Sequence, residues 1–270
     1  MRAEMLKVGL IGTGVMGSMI ARAVARGECA AELVAVTDLD PERARRLAAS
    51  LEVPPPVLPT GEVVARSGLV VEAAAPDVLE TLLRLVIEGQ KDLLVLSVGG
   101  LIDREEELKE AARRGCSIYC PSGAIAGLDA VRAAALGRIG GARLTTRKPP
   151  QGLAGAPHFV ERGQDPLTLG TATVVFEGSA REACRAFPQN INVSAALSLA
   201  GIGFDQTRVR IIADPAVERN IHKIEVWGDF GRIETVTENV PSENPKTSRL
   251  AALSAIALIR RLSDSFQVGS

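Results

Sequence analysis

The sequence of 270 residues is poor in aromatics, with one Trp, one Tyr and six Phe, 3% of the chain. A core with so few rings has to be built from Ala, Val, Leu and Ile, as in parallel α/β sheets covered on both faces. Histidine is scarcer still, with two residues, so few side chains titrate near neutrality. Four cysteines (Cys29, Cys116, Cys120 and Cys184) are too few for a disulfide framework in a chain this long. Cys116 and Cys120 have no second Cys or His pair to complete a zinc set, so buried free thiols and no metal site are expected. An excess of one charge is also missing. The 31 Lys and Arg against 32 Asp and Glu leave no footprint for nucleic acid or an anionic membrane surface. No apolar run reaches the roughly 18 residues of a membrane helix. Residues 1–7 carry Arg2, Glu4 and Lys7 where a signal peptide would have its apolar stretch. A cytoplasmic protein is expected.

What is present is an ordered alternation. Apolar runs at 7–11, 32–36, 69–72, 93–98 and 117–120 read as strands. Between them, 16–26, 41–51, 77–88 (with Asp77 as N-cap) and 103–114 read as helices. Strands apolar throughout and joined by helices predict a Rossmann doubly wound parallel sheet. Beyond Pro121 the rhythm changes. After a helix at 128–138, strands are predicted at 141–147, 171–177, 208–213, 221–227 and 232–238. They alternate apolar and polar residues, with Asp229-Phe230-Gly231 as a hairpin turn, and a last helix covers 247–262. The Pro/Gly-rich stretch 148–157 reads as a loop, either a surface connection or a flap near a site. The expected fold is α/β: a dinucleotide-binding domain over 1–122 and 242–270, with an inserted α+β substrate and dimerisation domain over 123–241.

Gly12-Thr13-Gly14-Val15-Met16-Gly17 follows the first strand and opens the first helix. Gly12 permits the tight turn, Gly14 lets backbone approach a pyrophosphate, and Gly17 lets helix and strand pack closely. The helix N–H groups then face the phosphate charge. Asp38 ends the second strand 21 residues beyond Gly17, where a carboxylate binds the adenosine ribose hydroxyls. That carboxylate would repel a 2′-phosphate and favours NAD over NADP, although Arg43, Arg45 and Arg46 close behind it soften the preference.

Two histidines offer acid–base chemistry: His158 in the Pro/Gly-rich stretch, and His222 in the β-patterned run Asn220-Ile-His222-Lys-Ile. Either can be structural or catalytic on composition alone. Polar residues at 187–192 and 244–248 precede helices, where they serve as caps or as anion sites.

Together these segments resemble the L-aspartate dehydrogenase family over nearly the whole chain. The resemblance is carried by the glycine motif, Pro121-Ser-Gly-Ala-Ile-Ala-Gly-Leu-Asp-Ala130, Phe187-Pro-Gln-Asn-Ile-Asn-Val-Ser194, Asn220-Ile-His222 with Gly228-Asp-Phe-Gly231, and Glu238-Asn-Val-Pro-Ser-Glu-Asn-Pro-Lys-Thr-Ser248. It implies NAD(P)-dependent oxidative deamination of L-aspartate to iminoaspartate or oxaloacetate plus ammonia, feeding NAD biosynthesis; a homodimer is expected by analogy with other two-domain dehydrogenases, which commonly pair. It also implies His222 as the catalytic histidine and Ala124 and Asn190 as further NAD contacts. For the substrate carboxylates, Lys246, Thr247 and Ser248 at a helix start are the main candidates, ahead of Lys148 and Arg147. The alternatives are another two-domain dehydrogenase, like homoserine dehydrogenase or dihydrodipicolinate reductase, or a non-catalytic NAD-sensing protein.

Overall fold

The computed structural model describes residues 5–188, 191–240, 248–266 and 268. Asn190, Lys246 and Thr247 lie outside the described residues. The chain divides into two compact units, one of Met1–Pro121 with Ala252–Val268, the other of Ser122–Ala251.

The first unit runs β1 (Leu6–Ile11), α1 (Val15–Ala25), β2 (Ala31–Thr37), α2 (Pro41–Ala49), α3 (Thr60–Arg66), β3 (Leu69–Glu72), α4 (Leu79–Glu88), β4 (Asp92–Val95), α5 (Glu105–Arg113) and β5 (Ile118–Tyr119). Its sheet has the order β2-β1-β3-β4-β5, with every pair parallel. A single parallel bridge, Val36 to Val57, adds one more partner to β2. Counting that bridge as a vestigial strand, the order becomes the 3-2-1-4-5-6 of dinucleotide-binding sheets.

The strands are as apolar as the sequence requires: Val8, Leu10, Leu69, Val70, Val71, Leu93, Leu94 and Val95 are at most 1% exposed. Asp77 caps no helix. It sits inside a short 3-10 turn, Pro76–Val78, that leads directly into α4. The strand expected over 93–98 ends at Val95, because Val98–Leu101 turns into a 3-10 helix. Helix α3 has no strong sequence signal; burial of Val63 and Val64 holds it.

The second unit contains α6 (Leu128–Ala134), β6 (Ile139–Lys148), α7 (Pro157–Val160), β7 (Thr173–Ser179), α8 (Ala180–Ala186), α9 (Asn192–Ala200), α10 (Gly203–Gln206), β8 (Arg208–Ala213), β9 (Asn220–Gly228) and β10 (Gly231–Asn239). The sheet order is β10-β9-β6-β8-β7, with β6 and β8 parallel and the other pairs antiparallel. Alternation along β6 and β9 gives one buried and one exposed face. The stretch 148–157 is neither flap nor loose connection. It forms a 3-10 turn, Pro150–Leu153, leading to α7, and Leu153 and Phe159 are buried. The final helix, α11 (Arg249–Ser263), places Ala255, Leu258 and Ile259 in the same core as Val8, Leu10 and Ile20 of the first unit.

Candidate active site

In the first unit the glycine motif and Asp38 form one hydrogen-bonded turn. Thr13 is buried, and both its N–H (2.7 Å) and its hydroxyl (2.8 Å) donate to Asp38 Oδ2. The Asp40 N–H donates to Asp38 Oδ1 at 2.9 Å, and the Arg43 guanidinium stands 4.0 Å from the carboxylate. Burial alone would raise the Asp38 pKa. These donors and the Arg43 charge outweigh it, so the group sits below the ordinary carboxylate range and is ionised at neutral pH. Gly12 N–H donates to the Thr37 carbonyl at 2.8 Å, closing the loop onto β2.

The three glycines do different work. Gly12 has φ +95° and its missing Cβ would stand 2.6 Å from Ala73 backbone; at Gly17 a Cβ would stand 2.0 Å from the Gly12 carbonyl oxygen. A Cβ at Gly14 meets nothing within 4 Å. The space over Gly14, at the start of a helix that no side chain caps and whose first turn holds no acid, suits a phosphate group. The residues present therefore fit a dinucleotide, with Val15 and Met16 carrying the chain into α1.

Beneath the same strand ends, Glu72 is fully buried. It accepts from the Ala74 N–H (2.8 Å), the Ser97 N–H (2.9 Å) and the Ser97 hydroxyl (2.9 Å). Burial raises its pKa against these donors. It ties together the turns that follow β3 and β4. Sequence reading passed over it, since an acid at the end of an apolar strand has no distinctive local pattern.

In the second unit the buried face of the sheet is apolar at one end and polar at the other. Along β6, Ala142 and Leu144 give way to Thr146 and Lys148; along β9, Val226 and Ile224 give way to His222 and Asn220. Thr146 and His222 are register partners, and Thr146 Oγ1 lies 2.9 Å from His222 Nδ1. His222 is 3% exposed; burial first, and the Lys148 charge second, push its pKa down to about 3. It is a neutral imidazole at physiological pH. Burial likewise pushes Lys148 down to about 8.

The next strand completes the group. Thr237, opposite His222 on β10, donates its hydroxyl to the Ala124 carbonyl at 2.8 Å, and Asn239 Nδ2 donates to the same oxygen at 2.9 Å. Ser248 Oγ donates to Asn239 Oδ1 at 3.4 Å. Of the residues expected from sequence, Ala124 and Ser248 thus share one hydrogen-bonded group, and His222 is the strand partner of its Thr237. Thr146, Thr237 and Asn239 were missed, because each is an ordinary strand residue until the register is known.

His158 belongs elsewhere. Its ring stacks on Phe187 at 4.9 Å and meets Phe159 and Phe176 edge-on. It is a packing residue in a cluster holding three of the six Phe. Among the described residues, no group of three His, Cys, Asp or Glu could hold a metal ion, and no helix is long and apolar enough to cross a membrane.

A glycine loop closed on an acid-tipped second strand, with a separate mixed sheet burying a neutral histidine, defines the two-unit dehydrogenases of the Rossmann class. Residues 10–121 match the model of the homoserine dehydrogenase NAD-binding domain, and residues 129–262 match the aspartate dehydrogenase C-terminal model. The L-aspartate dehydrogenase of Methanocella arvoryzae is 46% identical over 270 residues, covering 98% of this chain and all of that protein. The crystal structure of aspartate dehydrogenase from Thermotoga maritima is 27% identical with TM-score 0.73, covering 98% of this chain and 100% of that one. A homoserine dehydrogenase from Thiobacillus denitrificans, 16% identical over 96% of this chain and 73% of its own, shares the fold at TM-score 0.60. The chain belongs to the L-aspartate dehydrogenase family.

Proposed function

We propose that this protein oxidises L-aspartate with NAD(P), releasing ammonia, and that its first unit holds the dinucleotide while residues 123–241 carry the chemistry. The observation that carries this reading is the neutral His222, fixed through Nδ1 by Thr146 beside the buried Lys148. The bound nicotinamide would supply the acceptor for the substrate's Cα hydride. Gly12, Thr13, Gly14, Val15, Met16 and Gly17 would hold the pyrophosphate, and Asp38 the adenosine ribose, with Ala124 and Asn190 as further contacts.

In the tautomer whose Nδ1–H donates to Thr146 Oγ1, His222 Nε2 is left as a base. It takes a proton from the substrate ammonium, so that the nitrogen lone pair can form the C=N bond as hydride leaves. Once that proton has passed to solvent, His222 takes one from the water that attacks the iminium carbon and returns it to the nitrogen of the adduct. Collapse of that adduct expels ammonia and leaves oxaloacetate. Support for NAD biosynthesis, a cytoplasmic location and a homodimer belong to the same proposal. For the homodimer, Trp227 and Val236, 41% and 58% exposed on the outward face of the second sheet, offer apolar surface.

The reading is tested by following NADH formation with L-aspartate, homoserine and L-malate in parallel. Oxidation of L-aspartate alone is expected. Preference for either of the others overturns the substrate, and no oxidation of any favours an NAD-sensing protein. Asp38 sets the cofactor preference in this proposal. Asp38→Ala is expected to weaken NAD and strengthen NADP, changing the ratio of their kcat/KM values by about 10- to 100-fold, since the carboxylate that binds the ribose and repels a 2′-phosphate is then gone. An unchanged ratio would remove Asp38 from that role.

A further inference from the structure

We infer that Glu72 is the positioning residue of the cofactor turn: its buried carboxyl fixes the Ala73–Ala74 peptide, and that peptide carries Gly12. The inference rests on the reading above, in which the glycine motif holds the pyrophosphate, and names the residue that sets the shape of that motif.

The contacts run in one chain. Ile11, the residue before Gly12, is the register partner of Glu72, and its carbonyl accepts from the Ala73 N–H at 2.8 Å. The next N–H, of Ala74, donates to Glu72 Oε1 at 2.8 Å. The missing Cβ of Gly12 would stand 2.6 Å from the Ala73 carbonyl carbon and oxygen and 2.7 Å from the Ala74 nitrogen. The peptide whose N–H Glu72 holds is therefore the surface on which Gly12 lies. The same carboxyl accepts from the Ser97 N–H and hydroxyl, both at 2.9 Å, in the turn after β4. That turn also packs on the first one, since a Cβ on Gly100 would stand 3.0 Å from Pro76 Cβ. The turn after β3 is thus braced from β4 while it supports the glycine loop.

A fully buried acid is costly to hold in an apolar wall, and packing alone does not ask for one here. The hydrogen-bond geometry does. Three donors from two turns converge on this side chain, and two of them are backbone N–H groups that cannot reverse. A carboxyl group can accept on both of its oxygens, which no neutral amide can do. The loop is then set before the dinucleotide arrives, so binding does not have to order it.

Glu72→Gln keeps the shape and accepts on one side only. Of the three donors, the Ser97 hydroxyl alone can turn and accept. The amide nitrogen is expected to face it, and so to face the Ala74 N–H as well. ADP-ribose, which has the pyrophosphate and adenosine but no nicotinamide, is the probe. In the variant its dissociation constant and the KM for NAD are expected to rise about 5- to 50-fold, with the KM for L-aspartate at saturating NAD unchanged. A role in folding alone would lower the melting temperature and the yield of active enzyme without moving either constant. ADP-ribose binding within about twofold of the unmodified protein therefore overturns the inference. Should the variant fail to fold, the unmodified protein decides. At saturating ADP-ribose, hydrogen exchange of its Ala74 N–H is expected to slow about tenfold or more, and unchanged exchange there overturns the inference. The reading on which it rests fails separately, if the unmodified protein binds no ADP-ribose.

Discussion

Replacing His222 with alanine is expected to lower turnover of L-aspartate by about 100- to 10,000-fold, the range of a lost general base, while NADH binds as before. The cofactor loop and Asp38 belong to the first unit, and His222 to the second, so the substitution leaves the contacts of that loop and of Asp38 intact. Near-normal turnover would remove His222 from the mechanism. The same residue leaves a signature in stability. In the folded protein its pKa is near 3, against an ordinary 6.5, so between those values the unfolded chain binds a proton that the folded one refuses. Stability therefore rises with pH across that window, by about 1.4 kcal/mol per unit where the unfolded histidine is fully protonated. Urea unfolding at about pH 5 and pH 7 should show this slope in the parent and a shallower one in His222→Ala. Equal slopes would mean the imidazole is not buried as a neutral ring.

The second large effect separates glycines that serve the fold from the one that serves the cofactor. Gly14→Val is expected to fold with an unaltered melting temperature, because its Cβ enters open space. It should weaken NADH binding by about tenfold or more, because that space is where a pyrophosphate would meet the backbone. Gly17→Ala should fail differently. Its Cβ would stand 2.0 Å from the Gly12 carbonyl oxygen, so helix and loop must separate. Overpacking of this kind costs about 1–3 kcal/mol or more, read as a lower melting temperature with cofactor binding lost in consequence. Unimpaired NADH binding by Gly14→Val would mean the phosphates lie elsewhere.

Much of this was legible in advance for a physical reason. Strand and helix periodicities are local, so β1 through β5 and their connecting helices could be read from apolar runs of four to six residues. The glycine motif and Asp38 were legible too, since turn, helix start and strand end are fixed by residues within one βαβ unit. Helix α3 was not. Thr60-Gly-Glu-Val-Val-Ala-Arg66 contains a glycine and three β-branched residues and is helical because Val63 and Val64 are buried. The stretch after Lys148 read as loop because of its Pro and Gly, yet Leu153 and Phe159 anchor it.

The sequence by itself determined the class of fold, the cofactor turn and, through its ordered motifs, the family. Tertiary structure alone decided how the chemical groups meet. Thr146 and His222 are 76 residues apart, and Ala124 is 113 and 115 residues from the Thr237 and Asn239 that hold its carbonyl; strand register makes each of them a neighbour. It also separated the two histidines, setting His158 among phenylalanine rings and His222 beside a buried ammonium. A protonation state depends on how much water is excluded and which charge lies nearby. Both are set when the sheet is packed, and no local pattern of residues carries either.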